Sequence, residues 1–264
     1  MKMIEADKKR LISAFLSLVI LAVPGSAHAW QEAKSGYEFM TPESREMQDD
    51  DFENPGMLTV EEGQVLFVTT ANNGKTCGSC HGDGGSKLDL ERIAQYPVYS
   101  ESLKKPITLR NQVHFCWDER LQNKPMRKYS GARAIALETF VRHQARNKPV
   151  NVNIDGQLKP FYEAGKAFYN QRAGQLDMAC TNCHHDFPGR KLRGQTLSQG
   201  HSNGFPTYRL ANSRVNGLHE RFRQCQHLFR AKALKSGSEE YVNLEVYLNA
   251  IGNGLEIETP ALRY

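Results

Sequence analysis

Residues 77–81 read CGSCH and residues 180–184 read CTNCH. C-x-x-C-H is the attachment motif of c-type haem. Its two thiols add across the vinyl groups of the porphyrin, and the adjoining histidine is placed to bind the iron. A single copy also suits a redox dithiol, but two copies in one chain predict two covalently bound c-type haems. Cys77 and Cys80 then carry haem 1 with His81 on its iron, and Cys180 and Cys183 carry haem 2 with His184. Zinc is a poorer reading. It needs a tetrahedral ligand set, and neither motif has a second paired spacing beside it.

The sequence around the motifs repeats. Gly63 and Phe67 precede Cys77 much as Gly165 and Tyr169 precede Cys180. Downstream, ALETFVRH (136–143) matches NLEVYLNA (243–250). Such self-similarity predicts a mainly α chain of two tandem class I cytochrome c-like domains. Each has a helix before its motif and a closing helix, and the glycine lets the two cross closely. The expected boundaries are 59–150 for the haem 1 domain and 151–264 for the haem 2 domain, which holds the active site. RNKPVNVNIDGQLKP (146–160), with prolines at both ends, reads as the linker. Residues 30–58 are acidic and without long periodicity, an N-terminal extension expected to wrap the surface or meet a partner.

The distal iron ligands are less obvious. Electron-carrying cytochromes c use methionine there, yet no methionine follows Met178. The second half offers Cys225, His185, His201, His219 and His227; the first offers Met126, Cys116, His114 and His143. The repeat chooses Cys116 and Cys225, whose separation is close to that of the other matched positions, whereas Met126 maps near Leu234, which cannot bind iron. His/Cys ligation at both irons follows. The alternatives are a Cys116–Cys225 disulfide, subject to strict geometric limits, or inert buried thiols. The surroundings differ. HERFRQCQH (219–227) is basic, with Arg214 and Arg230 nearby, and Arg221 lies one helical turn before Cys225. Guanidinium groups bind oxyanions through paired hydrogen bonds. NQVHFCWDERLQ (111–122) is more aromatic and carries both signs. Only the second site reads as built for an anionic substrate, the alternative being a solvated basic face that docks an acidic partner.

The N-terminus reads as an export signal. Lys8, Lys9 and Arg10 precede an apolar run from Leu11 to Val23, and Ala27-His28-Ala29 suits cleavage before Trp30. No twin arginine is present. Residues 1–29 are thus expected to be a signal peptide, and the mature protein periplasmic. Four basic and two acidic residues leave with it, taking the formal charge from +5 to +3. That balance is too mild to argue for nucleic acid. An oxidising compartment gives unpaired thiols a reason to be explained, and a metal ligand or substrate sulfur is such a reason.

On SGYEFMTPESREMQDDDFENPGMLTVEEG, CGSCHG, LSQGHSNGFPTYRL, RFRQC and YLNAIGNGLEIETPALR, the chain resembles the SoxA family, the dihaem subunits of the SoxAX cytochromes of bacterial sulfur oxidation. The resemblance spans nearly all of the mature chain. It implies Cys116 and Cys225 as distal ligands, Cys225 as the active-site cysteine (found in the family as a persulfide), and Arg221 as the substrate-binding arginine. It implies pairing with the monohaem cytochrome SoxX and an L-cysteine S-thiosulfotransferase activity: thiosulfate is joined oxidatively to a cysteine of the carrier SoxYZ. The competing expectations are a thiosulfate dehydrogenase forming tetrathionate, a pure electron-transfer dihaem cytochrome, and a haem peroxidase.

Overall fold

Helix pairs crossing at a glycine organise both halves. The structure, a computed structural model, describes residues 32–126 and 128–264. The signal peptide and the Trp30 start lie outside the described residues. In chain order the α-helices are α1 Pro42–Asp49, α2 Met57–Val68, α3 Gly78–His81, α4 Leu90–Ala94, α5 Leu109–Phe115, α6 Ala132–Gln144, α7 Lys159–Asn170, α8 Cys180–His184, α9 Leu218–Leu228 and α10 Glu239–Ala250. The strands are β1 Val98–Ser100, β2 Lys105–Ile107, β3 Lys191–Leu192, β4 Gln195–Thr196, β5 Thr207–Arg209, β6 Arg214–Asn216 and β7 Ala261–Arg263. The chain is mainly α, as the sequence predicts.

The predicted crossing occurs twice. A Cβ on Gly63 would stand 2.1 Å from the Ala136 carbonyl oxygen, so α2 meets the backbone of α6. A Cβ on Gly165 would stand 2.0 Å from the Asn243 oxygen, joining α7 to α10 in the same way. One turn along, Phe67 meets Phe140 with centroids 5.0 Å apart, and Tyr169 meets Tyr247 at 5.2 Å. Aromatic contact next to a bare glycine fixes both the distance and the rotation of each pair.

The repeat runs further than the sequence reading traced it. Hairpin β1–β2 pairs Val98 with Ile107, and β5–β6 pairs Thr207 with Asn216, each 109 positions on. Pro97 and Pro206 precede the hairpins, and Thr108 and Gly217 sit at the N-caps of α5 and α9. Cys116 and Cys225 share that spacing. In the second half β5 is also paired in parallel with β7, making a three-stranded sheet.

The segment expected to be a linker is pinned into the core. Val150 and Val152 are buried, and residues 147–152 bond to residues 253–257. The alternation V-N-V-N-I is the period-two signature of an extended segment with one apolar face. Residues 32–58 pack on the C-terminal strand. Gln48 Oε1 accepts from Leu262 N at 2.8 Å, and Asn54 Nδ2 donates to Pro260 O at 2.9 Å. Glu32–Tyr264 thus forms one compact unit.

A buried ion network lies where α5, α6, α9 and α10 converge. Arg110 binds Glu138 through Nε at 2.7 Å and Glu220 through Nη1 at 3.4 Å. His219 and Glu245 lie 3.0 Å apart. Arg110 and His219 occupy equivalent places in the repeat, as do Glu138 and Glu245. Burial opposes the charge on Arg110, but Glu138 and Glu220 outweigh it and push its pKa up.

Candidate functional site

Both C-x-x-C-H motifs fold as short helices, which set their two thiols three residues apart on one face. In the first half Cys77 and Cys80 approach Cys116, at the junction between α5 and a π-turn through Cys116–Arg120. Burial, then the proximity of Cys116, pushes the Cys77 thiol up to about 11. Burial raises Cys116 too, although Gln112 Nε2 donates to its sulfur at 3.3 Å and Arg120 acts the other way. The His81 ring lies 6.2 Å from Phe67.

The second half opens into a cavity of about 400 Å³, lined by Cys180, Cys183, His184, Arg221 and Cys225 among apolar side chains. Burial raises Cys180 to about 12. Cys225 goes the other way. Burial works against its thiolate, yet Arg221, a hydrogen bond from His184, and Arg209 together hold it down to about 7. His184 Nδ1 lies 2.8 Å from the Ser198 carbonyl oxygen and so carries the proton it donates there, leaving Nε2 free for a metal. Gly200, at φ +81°, sits under that ring, where a Cβ would come 2.8 Å from His184 Cγ. The Ser198 carbonyl and Gly200 were not singled out from the sequence. They lie inside the quoted LSQGHSNGF segment, but one sequence offers no signal that they seat a histidine.

The other predicted candidates separate. Arg221 reaches the cavity, taking Gln195 at 3.2 Å and Gln224 at 3.5 Å as acceptors. Arg223 turns away to the Leu234 oxygen at 2.6 Å, and Arg214 and Arg230 are exposed outside the lining. His219 is buried in the ion network, and His227 is exposed. His201 lines the cavity but bonds Gln199 at 3.1 Å, and burial lowers it to about 4. His185 lies 3.2 Å from Asp186. In the first half His114 stacks on Tyr129, His143 Nδ1 lies 3.0 Å from the Thr259 oxygen, and Met126 packs on the apolar core. Cys116 and Cys225 are free thiols, so the disulfide alternative does not hold. Among the described residues no cluster of three or more His, Cys, Asp or Glu side chains suits a bare metal ion, which removes the zinc alternative.

The chain covers 97% of its own length and 89% of its relative's in matching the L-cysteine S-thiosulfotransferase subunit SoxA of Pseudaminobacter salicylatoxidans, at 38% identity. The subunit of the same name from Rhodovulum sulfidophilum is 37% identical, over 93% of this chain and 86% of that one. The chain belongs to the SoxA family. The family model for the SoxA/TsdA cytochrome c domain matches residues 62–150. The crystal structure of SoxXA from P. pantotrophus superposes with a TM-score of 0.83 at 36% identity, covering 88% of this chain and 87% of that one.

A SoxA cytochrome c domain carries covalently bound c-type haem, and the cavity suits that group. Two thiols three residues apart stand beside a histidine with a free Nε2, and Phe168, Leu218, Phe222, Leu244 and Leu248 supply an apolar wall. Tyr169 Oη, His201 Nδ1 and Thr207 Oγ1 are buried on the lining without a protein partner. Orphaned polar atoms on a cavity wall are what a polar-edged occupant would satisfy.

The two SoxA half-sites differ at matched positions. Gln112 stands where the second half has Arg221, and Ser100 stands where it has Arg209. The hairpin and helix frames coincide, and the cations do not.

Proposed function

We propose that this chain is the dihaem subunit of a SoxAX L-cysteine S-thiosulfotransferase. It pairs with a SoxX monohaem cytochrome and works in the periplasm. Its substrates are thiosulfate and a cysteine of the carrier SoxYZ. Haem 1 is held by Cys77 and Cys80, with His81 and Cys116 as iron ligands. Haem 2 is held by Cys180 and Cys183, with His184 and Cys225. The observation that carries the reading is the contrast between the distal thiols. Cys225 is held down to about 7 by Arg221, His184 and Arg209 against its own burial, whereas burial prevails at Cys116.

In the overall reaction the carrier thiolate and thiosulfate form one new sulfur–sulfur bond, giving S-thiosulfocysteine, and two electrons leave. The haems accept those electrons when bound. The protein supplies the rest. Arg221 holds the sulfonate end of thiosulfate so that its terminal sulfur meets the sulfur of Cys225. The carrier thiolate then takes that sulfur by exchange chemistry. Fixed positive charge lets three anionic groups gather without solvent reorganisation. Ser198 and Gly200 keep the His184 ring in one orientation throughout.

The deciding experiment uses Cys225→Ala. Thiosulfate-dependent reduction of an acceptor cytochrome, with SoxX and SoxYZ present, should be abolished, while denatured protein still stains for haem. Normal turnover with haem 2 attached would mean that Cys225 is a ligand and no more, and the transferase reading would fall. Tetrathionate formed without SoxYZ would assign the dehydrogenase chemistry instead. An intact mass carrying one haem would overturn the dihaem assignment.

A further inference from the structure

Arg209 on β5 is only 9% exposed and lines the same cavity as Cys225 and Arg221. Its acceptors are all uncharged side chains or main chain. Nε and Nη2 donate to the Tyr264 main-chain oxygen at 3.1 and 2.6 Å, and Nη1 donates to Gln224 Oε1. Arg221 shares the Gln224 acceptor. Among the described residues no Asp or Glu side chain pairs with either guanidinium. Elsewhere the fold pairs its deeply buried Arg110 with two carboxylates. Two adjacent guanidiniums left without an acidic partner in a cavity are costly unless an anion completes them. Three of the five N–H groups of Arg209 are used, so Nη1 and Nη2 each keep one hydrogen for a ligand.

The internal repeat gives an independent comparison. Arg209 closes β5 at the place where Ser100 closes β1, and Ser100 bonds only locally, with Ser102 at 3.2 Å. Both halves therefore build the same hairpin and distal helix around a cysteine, but only the second puts two cations there. A guanidinium needed merely to hold the fold would have a counterpart in the first half. We propose that Arg209 is a second oxyanion-positioning residue of the Cys225 site, gripping with Arg221 the sulfonate end of the substrate. The identity of the anion as thiosulfate rests on the transferase reading; the two-guanidinium cradle does not.

Binding measured without turnover separates the two. Haem-loaded protein in complex with its SoxX partner is titrated calorimetrically with thiosulfate and with sulfate, as wild type, Arg209→Gln and Arg209→Lys. Loss of a charge-assisted, paired contact should weaken both anions about tenfold or more in Arg209→Gln, with partial recovery in Arg209→Lys. The KM for thiosulfate should rise by a similar factor, with a smaller change in kcat and an unchanged haem spectrum. A loss of less than about threefold in Arg209→Gln overturns the proposal. A shifted haem 2 spectrum with unaltered anion affinity also overturns it, assigning Arg209 to the haem carboxylates instead. Wild type that binds neither anion overturns it as well. If wild type binds and Arg209→Gln does not, yet SoxYZ is never modified, the cradle stands and the transferase reading falls. Should Arg209→Gln fail to incorporate haem, wild-type affinity in Arg209→Lys overturns the proposal, because a lysine cannot reproduce a bidentate grip.

Discussion

At the scale of single residues, two substitutions between the halves set their different chemistry. Arg221 and Gln112 both stand one turn before a distal cysteine, on helices of the same register. The amide donates one neutral hydrogen bond to Cys116, while the guanidinium brings a full charge to Cys225. Removing it should therefore remove a charge-assisted contact worth about 1.5–3 kcal/mol. Arg221→Ala is expected to lower kcat/KM for thiosulfate by about one to two orders of magnitude, with haem content unchanged. Steady-state kinetics with the complete assembly measures this. Cys116→Ala should alter the haem 1 spectrum and keep more carrier-dependent activity than Cys225→Ala. Equal loss in both variants would show that the halves act as one catalytic unit.

At the scale of elements, the glycine crossings carry the packing. Alanine at 165 would set a Cβ against the Asn243 carbonyl oxygen, which is backbone and cannot swing aside, so α7 and α10 must part. Overpacking of this kind costs about 1–3 kcal/mol or more. Gly165→Ala should lower the melting temperature and reduce haem attachment at Cys180 and Cys183, as followed by haem staining. Gly189→Ala is a poor control, because Gly189 has φ +83°. Ala164→Gly, on the same helix, is a better one. These crossings were legible in the sequence because a glycine, an aromatic residue and a haem motif recur at matched intervals. So were both thiol–histidine sets and the distal cysteines. Arg209 was not, since its strand is three residues long and gives no periodicity to read. The fates of Arg214, Arg223 and Arg230 were equally hidden. A basic run shows that charge is present, but only tertiary packing decides which guanidinium turns inward. Val150 and Val152 were misread as linker because their flanking prolines spoke louder than a short alternation.

At the scale of the whole molecule, stability should fall in mild acid. Burial lowers the pKa of His143 below its ordinary 6.5, while its ring faces the Thr259 oxygen and ties α6 to the C-terminal segment. The unfolded chain then binds the proton more readily than the folded one. Stability from this group is complete above about 6.5 and is lost as pH falls from there through the folded value. Asp51, held low by its bond to Arg146, contributes in the same direction but only below its ordinary 3.8. Melting temperatures should thus decline between about pH 6.5 and pH 5, and His143→Gln should flatten that decline; an unchanged slope would remove His143 from the account. The ion network has a different reach. Arg110 belongs to the first half by sequence, yet it holds Glu220, five residues before Cys225 on α9. The first half is consequently a bracket as well as a redox station. A descendant of this chain could abandon the thiols at 77 and 80 and still aim its catalytic sulfur, provided that it kept the arginine at 110 as the hinge-pin.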